Sequence, residues 1–178
     1  MIRRLLNLLV FQVGWFACIL GAAHDRPFVG PLAAAFLLAL EFSFVSDRKR
    51  SATLIVAVGG IGTAIDTLLG LIGVFSFKNE LLPIWFCPLW LTALWMIFAS
   101  TLPVSLKWLT RRPWLSAPLG AFVGPISYYA GAAFGALEVS HRLGDLIILA
   151  ALWGLALPML MRLTEWIGPR SLSLEDHG

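Results

Sequence analysis

Apolar runs of roughly twenty residues recur along the chain, each about the length of one helical crossing of a bilayer. Short clusters of Arg, Lys, Asp, Gly and Pro punctuate them. Six runs stand out, near 5–23, 27–45, 51–75, 84–106, 114–137 and 144–163. They predict an all-α polytopic membrane protein, a six-transmembrane-helix bundle forming a single transmembrane domain over 1–170. A disordered cytoplasmic tail is expected over 171–178. Met1-Ile-Arg-Arg followed by an apolar run ending Gly21-Ala22-Ala23 resembles a signal peptide. The run is long for that purpose and is interrupted by Asn7 and Gln12, so it is read as the first transmembrane helix.

At helical spacing the third run places Gly59, Thr63, Asp66, Gly70 and Gly73 on one face, with Ile61, Ile65, Leu68 and Ile72 elsewhere. Small residues let another helix approach closely. A carboxylate in hydrocarbon costs roughly 2.5–3.5 kcal/mol on insertion scales, so Asp66 is expected to face the bundle interior. The first run carries a similar stripe of Asn7, Phe11, Gly14, Cys18 and Gly21, with Gln12 beside it. The fifth has Gly120, Gly124, Ser127, Gly131 and Gly135, and Pro125 is expected to kink it. Glu41 is expected to pair with the basic loop Arg48-Lys49-Arg50. No repeat at a fixed period is evident.

Charge fixes an orientation. With the N-terminus inside, the inner segments hold Arg3, Arg4, Arg48, Lys49, Arg50, Lys107, Arg111, Arg112, Arg162 and Arg170, against Arg26, Lys78 and Arg142 outside. Ten against three predicts both termini in the cytoplasm. The same bias accounts for the basic clusters without nucleic acid. Trp85, Trp108 and Trp114 suit interfacial belts, whereas Trp90 and Trp95 lie deep. Charged residues make up 13% of the 178 residues, about half the usual share for a soluble domain, and leave no polar block for a second domain. The two cysteines, Cys18 and Cys87, cannot frame a disulfide scaffold or a zinc site by themselves.

Phosphate-binding glycine loops, a His-Glu-x-x-His motif and a second intramembrane aspartate are all missing. No nucleophile–base pair is visible, so enzymatic activity is left open. Two constellations remain. The first is a buried polar layer in the outer half, with Asp66 as a ligand's polar anchor, Gln12, Ser127 and Tyr128 as hydrogen-bonding partners, and Trp90 or Trp95 as apolar wall. The second is an outer group of His24, Asp25, Glu138, His141 and Asp145. It reads as solvated loop residues, so no metal and no cofactor are called for.

The stretch from Asn7 to Ala23, the Asp66 region, Pro88–Trp95 and Gly124–Gly131 together resemble a bacterial inner-membrane family of unknown function, domain of unknown function 2878. The resemblance implies a compact multi-helix protein of the inner (plasma) membrane and carries no activity with it. The leading expectation is a pocket that binds or handles a lipid or small amphipathic molecule. One rival is a substrate-binding subunit of a vitamin-type transporter, similar in size and topology to those of energy-coupling-factor systems. Another is a non-catalytic helix-packing scaffold for a membrane complex. The expected partners are the bilayer, such a ligand and other membrane proteins.

Overall fold

A computed structural model describes residues 2–77, 83 and 85–168. The tail expected over 171–178, together with Lys78 and Arg170, lies outside them. Six α-helices follow one another: α1 (Ile2–Ala23), α2 (Val29–Phe42), α3 (Arg48–Leu71), α4 (Leu89–Thr101), α5 (Pro113–Ala133) and α6 (Leu143–Ile167). Of these, α1, α3 and α6 are long and apolar enough to cross a membrane. The helices α2 and α4 are shorter than the runs that contain them, with 14 and 13 residues. Pro27 and Pro88 precede their starts. Leu102–Leu106 continues the apolar character past α4 as turns rather than helix.

Local chemistry sets the helix ends. The Asp47 side chain accepts from the backbone N–H of Arg50 and caps α3, and Pro113 opens α5 at a position that needs no hydrogen bond. α5 runs unbroken through both Pro118 and Pro125. At the far ends of α1, α3 and α5 the same device recurs. Asp25, Gly73 and Gly135 have positive φ, of 57°, 74° and 86°. The backbone N–H groups that follow them, of Arg26, Val74 and Ala136, reach back to the carbonyls of Gly21, Leu69 and Gly131. This is the Schellman stop, in which a left-handed residue satisfies the helix's last carbonyls.

These three stops expose an internal resemblance. Adding 62 to the α3 positions Leu54, Val58, Gly62, Asp66 and Leu69 gives Ser116, Gly120, Gly124, Tyr128 and Gly131, all buried in α5. The segments that follow pair with each other. β1 (Phe75–Phe77) and β2 (Leu137–Val139) form an antiparallel ribbon, with Ser76 opposite Glu138 at its centre. Residues 76 and 138 are themselves equivalent, so a pseudo-two-fold relates α3–β1 to α5–β2. The stops in α1 and α3 are 48 residues apart and those in α3 and α5 are 62 apart, which is why no fixed period marks the repeat. The ribbon was not foreseen by the all-α reading.

α4 is the central element. It packs on α1, α2 and α3, and only Leu89 of its residues is exposed. α5 and α6 form a hairpin packed mainly on itself, set against the α1–α4 group. Side-chain contacts from Arg3 to the Phe44 carbonyl, Arg50 to the Gly168 carbonyl and Arg111 to Glu165 gather one end of the bundle. Nine of the described Lys and Arg residues lie toward that end, and Arg26 and Arg142 lie at the other, beside the ribbon. Trp108, Trp114 and Trp166 are exposed toward the basic end. Glu41 pairs with α1 instead of the basic loop: Asn7 Nδ2 donates to its Oε1 at 2.5 Å, and Ser105 Oγ donates to Asn7 Oδ1. Asn7 was correctly placed on an inward stripe. Its partners were unexpected because they come from α2 and from the turns after α4.

Candidate functional site

Of the expected face, Gly59, Asp66 and Gly70 are buried on α3 and are joined there by Gly62 and Leu69, whereas Thr63 is half-buried and Gly73 is exposed beyond the helix end. Gly62 lies directly against the Trp95 ring of α4, where a Cβ would collide. One turn further, the same indole donates its Nε1–H to Asp66 Oδ2 at 2.6 Å. α5 repeats the arrangement: Gly124 lies directly against Trp153 of α6, and Tyr128, one turn on, donates its hydroxyl to Asp66 Oδ1 at 2.5 Å. The two indoles stack on each other, with centroids 4.9 Å apart and planes 6° apart.

Aromatic rings enclose this junction. Phe98 stands edge-on to both indoles, Phe75 of the ribbon stacks on Tyr128 at 5.2 Å, and Phe77 meets Trp90 edge to face. Asp66 is 0% exposed, and both its oxygens are occupied by donors. Among the described residues the ion pairs are Arg50–Asp47, Arg111–Glu165 and Arg142–Asp145, at the ends of the helices and away from Asp66. Two donors therefore satisfy the acid, one from each half of the pseudo-two-fold. A polar seam continues toward the ribbon end between α3 and α4. The hydroxyls of Thr63 and Thr92 lie 2.8 Å apart, and Thr67 accepts from the Cys87 backbone N–H.

Beside the junction runs an apolar slot of about 200 Å³ between the α1–α4 group and the α5–α6 hairpin. Leu8, Phe11, Trp15 and Ile19 of α1 form one wall. Leu119, Val123, Ser127 and Tyr128 of α5 form the other, and Trp90, Trp95, Phe98 and Trp153 are also in the lining. From Leu8 to Ile19 at 1.5 Å per residue the slot runs about 16 Å. It extends past the outer half where the pocket was expected, toward the basic end at Leu106 and Leu157. Leu8 and Val123 are exposed, which opens the slot sideways between α1 and α5.

The residues singled out from the sequence divide clearly. Asp66, Trp95 and Tyr128 form one hydrogen-bonded unit, and Trp90 lines the slot near its ribbon end. Ser127 lines the slot but donates to the Val123 carbonyl of its own helix at 3.0 Å, one 100° step away from the face Tyr128 occupies. Gln12 is exposed on α1 and joins neither slot nor junction. Asp66 itself is sealed behind Trp95 and Tyr128, so it holds two of the slot's lining side chains in place and does not touch the slot. Trp153 was missed. Its signal was available: Trp153 precedes Gly154 in the middle of an apolar run, as deep as Trp95.

In the outer group, Asp145 pairs with Arg142 at 2.9 Å and His24 Nδ1 lies 2.8 Å from the Leu20 carbonyl. Among the described residues no three His, Cys, Asp or Glu side chains converge in a way that could hold a metal. Cys18 and Cys87 are both buried free thiols.

No curated protein and no solved structure matches this sequence. Residues 4–159 match a family described as a protein of unknown function, DUF2878, and these residues contain the Asp66–Trp95–Tyr128 junction, Trp153 and the whole slot. The chain belongs to the family of unknown function DUF2878.

Proposed function

We propose that this chain is a six-crossing membrane bundle whose basic end lies in the cytoplasm, and that the lateral slot binds the apolar part of a lipid or small amphipathic molecule. At about 1.5 Å per residue, α2 and α4 reach only about 20 Å, short of a hydrocarbon core of about 30 Å. Their crossings are completed by turns at either end. For α4, Cys87 and Pro88 before it are buried and Leu102–Leu106 after it are buried or half-buried, the condition under which irregular backbone is tolerated at membrane depth. The excess of Lys and Arg at one end sets the orientation.

The observation that carries the binding reading is the slot: a lined opening between two helix groups, apolar along its length, with Trp90, Trp95 and Tyr128 in its lining. Its volume of about 200 Å³ is below the roughly 300–1,000 Å³ of pockets that engulf a whole small molecule. It suits a chain or a ring whose remainder lies in the bilayer. Asp66 acts by fixing Trp95 and Tyr128, which is a positioning role.

The test uses a diazirine-bearing acyl lipid in nanodiscs, with labelled peptides mapped by mass spectrometry. Peptides covering 8–19 and 119–128 are expected to label above the general surface represented by exposed Phe36 of α2. Val123→Trp, at the exposed mouth, should remove that excess and leave Phe36 labelling unchanged. Equal labelling everywhere, or an excess that survives the blocking tryptophan, overturns the reading.

A further inference from the structure

We propose that the occupant of the slot is an anionic phospholipid of the leaflet at the basic end, with one acyl chain along the slot and its phosphate held at the mouth by Arg4, Lys107 and Arg112. This deepens the reading of the slot as a lipid site and rests on it. Three observations carry it: where the slot opens, where it closes, and which side chains stand at its open end.

Leu8 and Val123, in the first halves of two helices that start at the basic end, are exposed and open the slot sideways. At the ribbon end the lining residues Ile19, Trp90 and Leu137 are buried, so the slot is shut there. Its length of about 16 Å is close to half of a hydrocarbon core of about 30 Å. A lipid standing in the leaflet at the basic end therefore lays one chain along the slot, with its phosphate level with the first turn of α1.

The slot's walls end in cations. On α1 the lining residues Leu8, Phe11, Trp15 and Ile19 form one helical stripe, and the position one turn before Leu8 on that stripe is Arg4. On α5 the stripe through Leu119 and Val123 runs back by way of buried Ser116 to Arg112, where the helix starts. Lys107 follows Leu106, which lines the same end. Hydrogen bonds tie these positions together: Ser105 Oγ donates to the Arg4 carbonyl at 2.8 Å, and the Arg112 N–H donates to the carbonyl of Leu109, in the same short turn as Lys107. All three cations are exposed. The acids of this end are engaged elsewhere, Asp47 with Arg50, Glu165 with Arg111 and Glu41 with Asn7. Among the described residues Arg4, Lys107 and Arg112 have no carboxylate partner. Orientation asks only for cations somewhere at this end, and it does not ask that two of them terminate the two walls of one slot. Lys and Arg gathered beside apolar surface attract an anionic headgroup, and the Arg fork matches a phosphate. A zwitterionic headgroup would bring a cation of its own into the cluster.

The experiment compares phosphatidylglycerol, phosphatidic acid and phosphatidylcholine carrying the same diazirine acyl chain, each as a minor component of phosphatidylcholine nanodiscs. Labelling of the 8–19 and 119–128 peptides is divided by labelling at exposed Phe36, which removes general enrichment around the protein. For the wild-type chain at least one anionic lipid should exceed phosphatidylcholine by about fivefold, the value of one Lys or Arg at an anionic headgroup. A lead for phosphatidic acid identifies a phosphomonoester, and parity of the two anionic lipids identifies any singly esterified or doubly esterified phosphate. Arg4→Gln combined with Arg112→Gln should bring the ratio near one while phosphatidylcholine still labels the slot. Lys49→Gln combined with Arg162→Gln removes the same charge from the same end, away from the slot lining, and should leave the ratio unchanged. Independently of any variant, the wild-type preference should shrink severalfold between about 50 and 500 mM salt. Equal labelling by all three lipids, a preference indifferent to salt, one that survives loss of Arg4 and Arg112, or one lost equally with Lys49 and Arg162, overturns the proposal while leaving the lipid slot standing. Failure of every diazirine lipid to label the slot above Phe36 overturns both.

Discussion

Replacing Asp66 with Ala removes the common acceptor of two buried donors, Tyr128 Oη–H and Trp95 Nε1–H. Hydrogen bonds between membrane helices average about 0.6 kcal/mol in double-mutant cycles, so two of them set a floor near 1 kcal/mol. Leaving each donor buried and unpaired costs about 1–3 kcal/mol, which sets a ceiling near 6 kcal/mol. Asp66→Asn keeps an acceptor for Trp95, and the Tyr128 hydroxyl can turn to accept from the new amide, so its cost should stay near the floor. The assay is reversible unfolding in mixed SDS micelles of the wild type, Asp66→Ala, Tyr128→Phe and the double variant. Residues this close should couple by about 0.5–3 kcal/mol, the double variant losing less than the sum of the singles. Strict additivity within about 0.3 kcal/mol would mean that the junction contributes nothing to holding α3 against α5, and the positioning role given to Asp66 would fall with it.

Two neighbouring glycines should behave oppositely. Gly62→Ala drives a methyl into the Trp95 ring and is expected to cost about 1–3 kcal/mol as overpacking, whereas Gly60→Ala, with nothing near the added carbon, should gain up to about 1 kcal/mol from helix propensity. The same unfolding assay separates them, and equal behaviour would contradict the close approach of α4. At the basic end, Asn7→Ala deprives Glu41 of a donor, while the Ser105 hydroxyl keeps the Arg4 carbonyl as acceptor, and should cost about 1–2 kcal/mol. Combining it with Glu41→Gln should recover part of that loss, and no recovery would argue against the contact.

Much of the architecture was legible because membrane helices write their boundaries in polar and glycine residues. The basic turns fall where the pattern placed them, whereas Gly73 and Gly135, expected on helix faces, lie just beyond α3 and α5 and stop them. The inward aim of Asp66 was readable because burying a carboxylate against lipid is costly. The ends of α2 and α4 were not readable, since the flanking turns at Leu102–Leu106 are as apolar as a helix. The ribbon was hidden for a related reason: Phe75-Ser76-Phe77 and Leu137-Glu138-Val139 alternate correctly, but three residues are too few to distinguish a strand from a helix end. Ser127 was expected in the junction that Tyr128 alone occupies, because adjacent residues differ by 100° and a stripe of glycines does not decide which neighbour points inward. Gln12 was expected inside because it is polar, yet an amide near a helix flank carries less penalty than an acid and need not be buried.

The pseudo-two-fold accounts for what a lone buried acid is doing in the apolar helix α3. In each of α1, α3 and α5 the residue seven positions before the left-handed stop is buried: Cys18, Asp66 and Tyr128. Apolar residues at these sites would give ordinary packing, and Cys18 does that, its Cα lying against Gly30 of α2. An acid at 66 without a donor opposite would be untenable, and a phenol at 128 without an acceptor would be costly. Each residue therefore makes sense only in the presence of the other. Because the pair joins the two halves of the repeat, it also fixes the separation of the walls on either side of the slot. The arrangement is asymmetric: two stacked indoles meet at the junction, and the one carboxylate receives Trp95 and Tyr128.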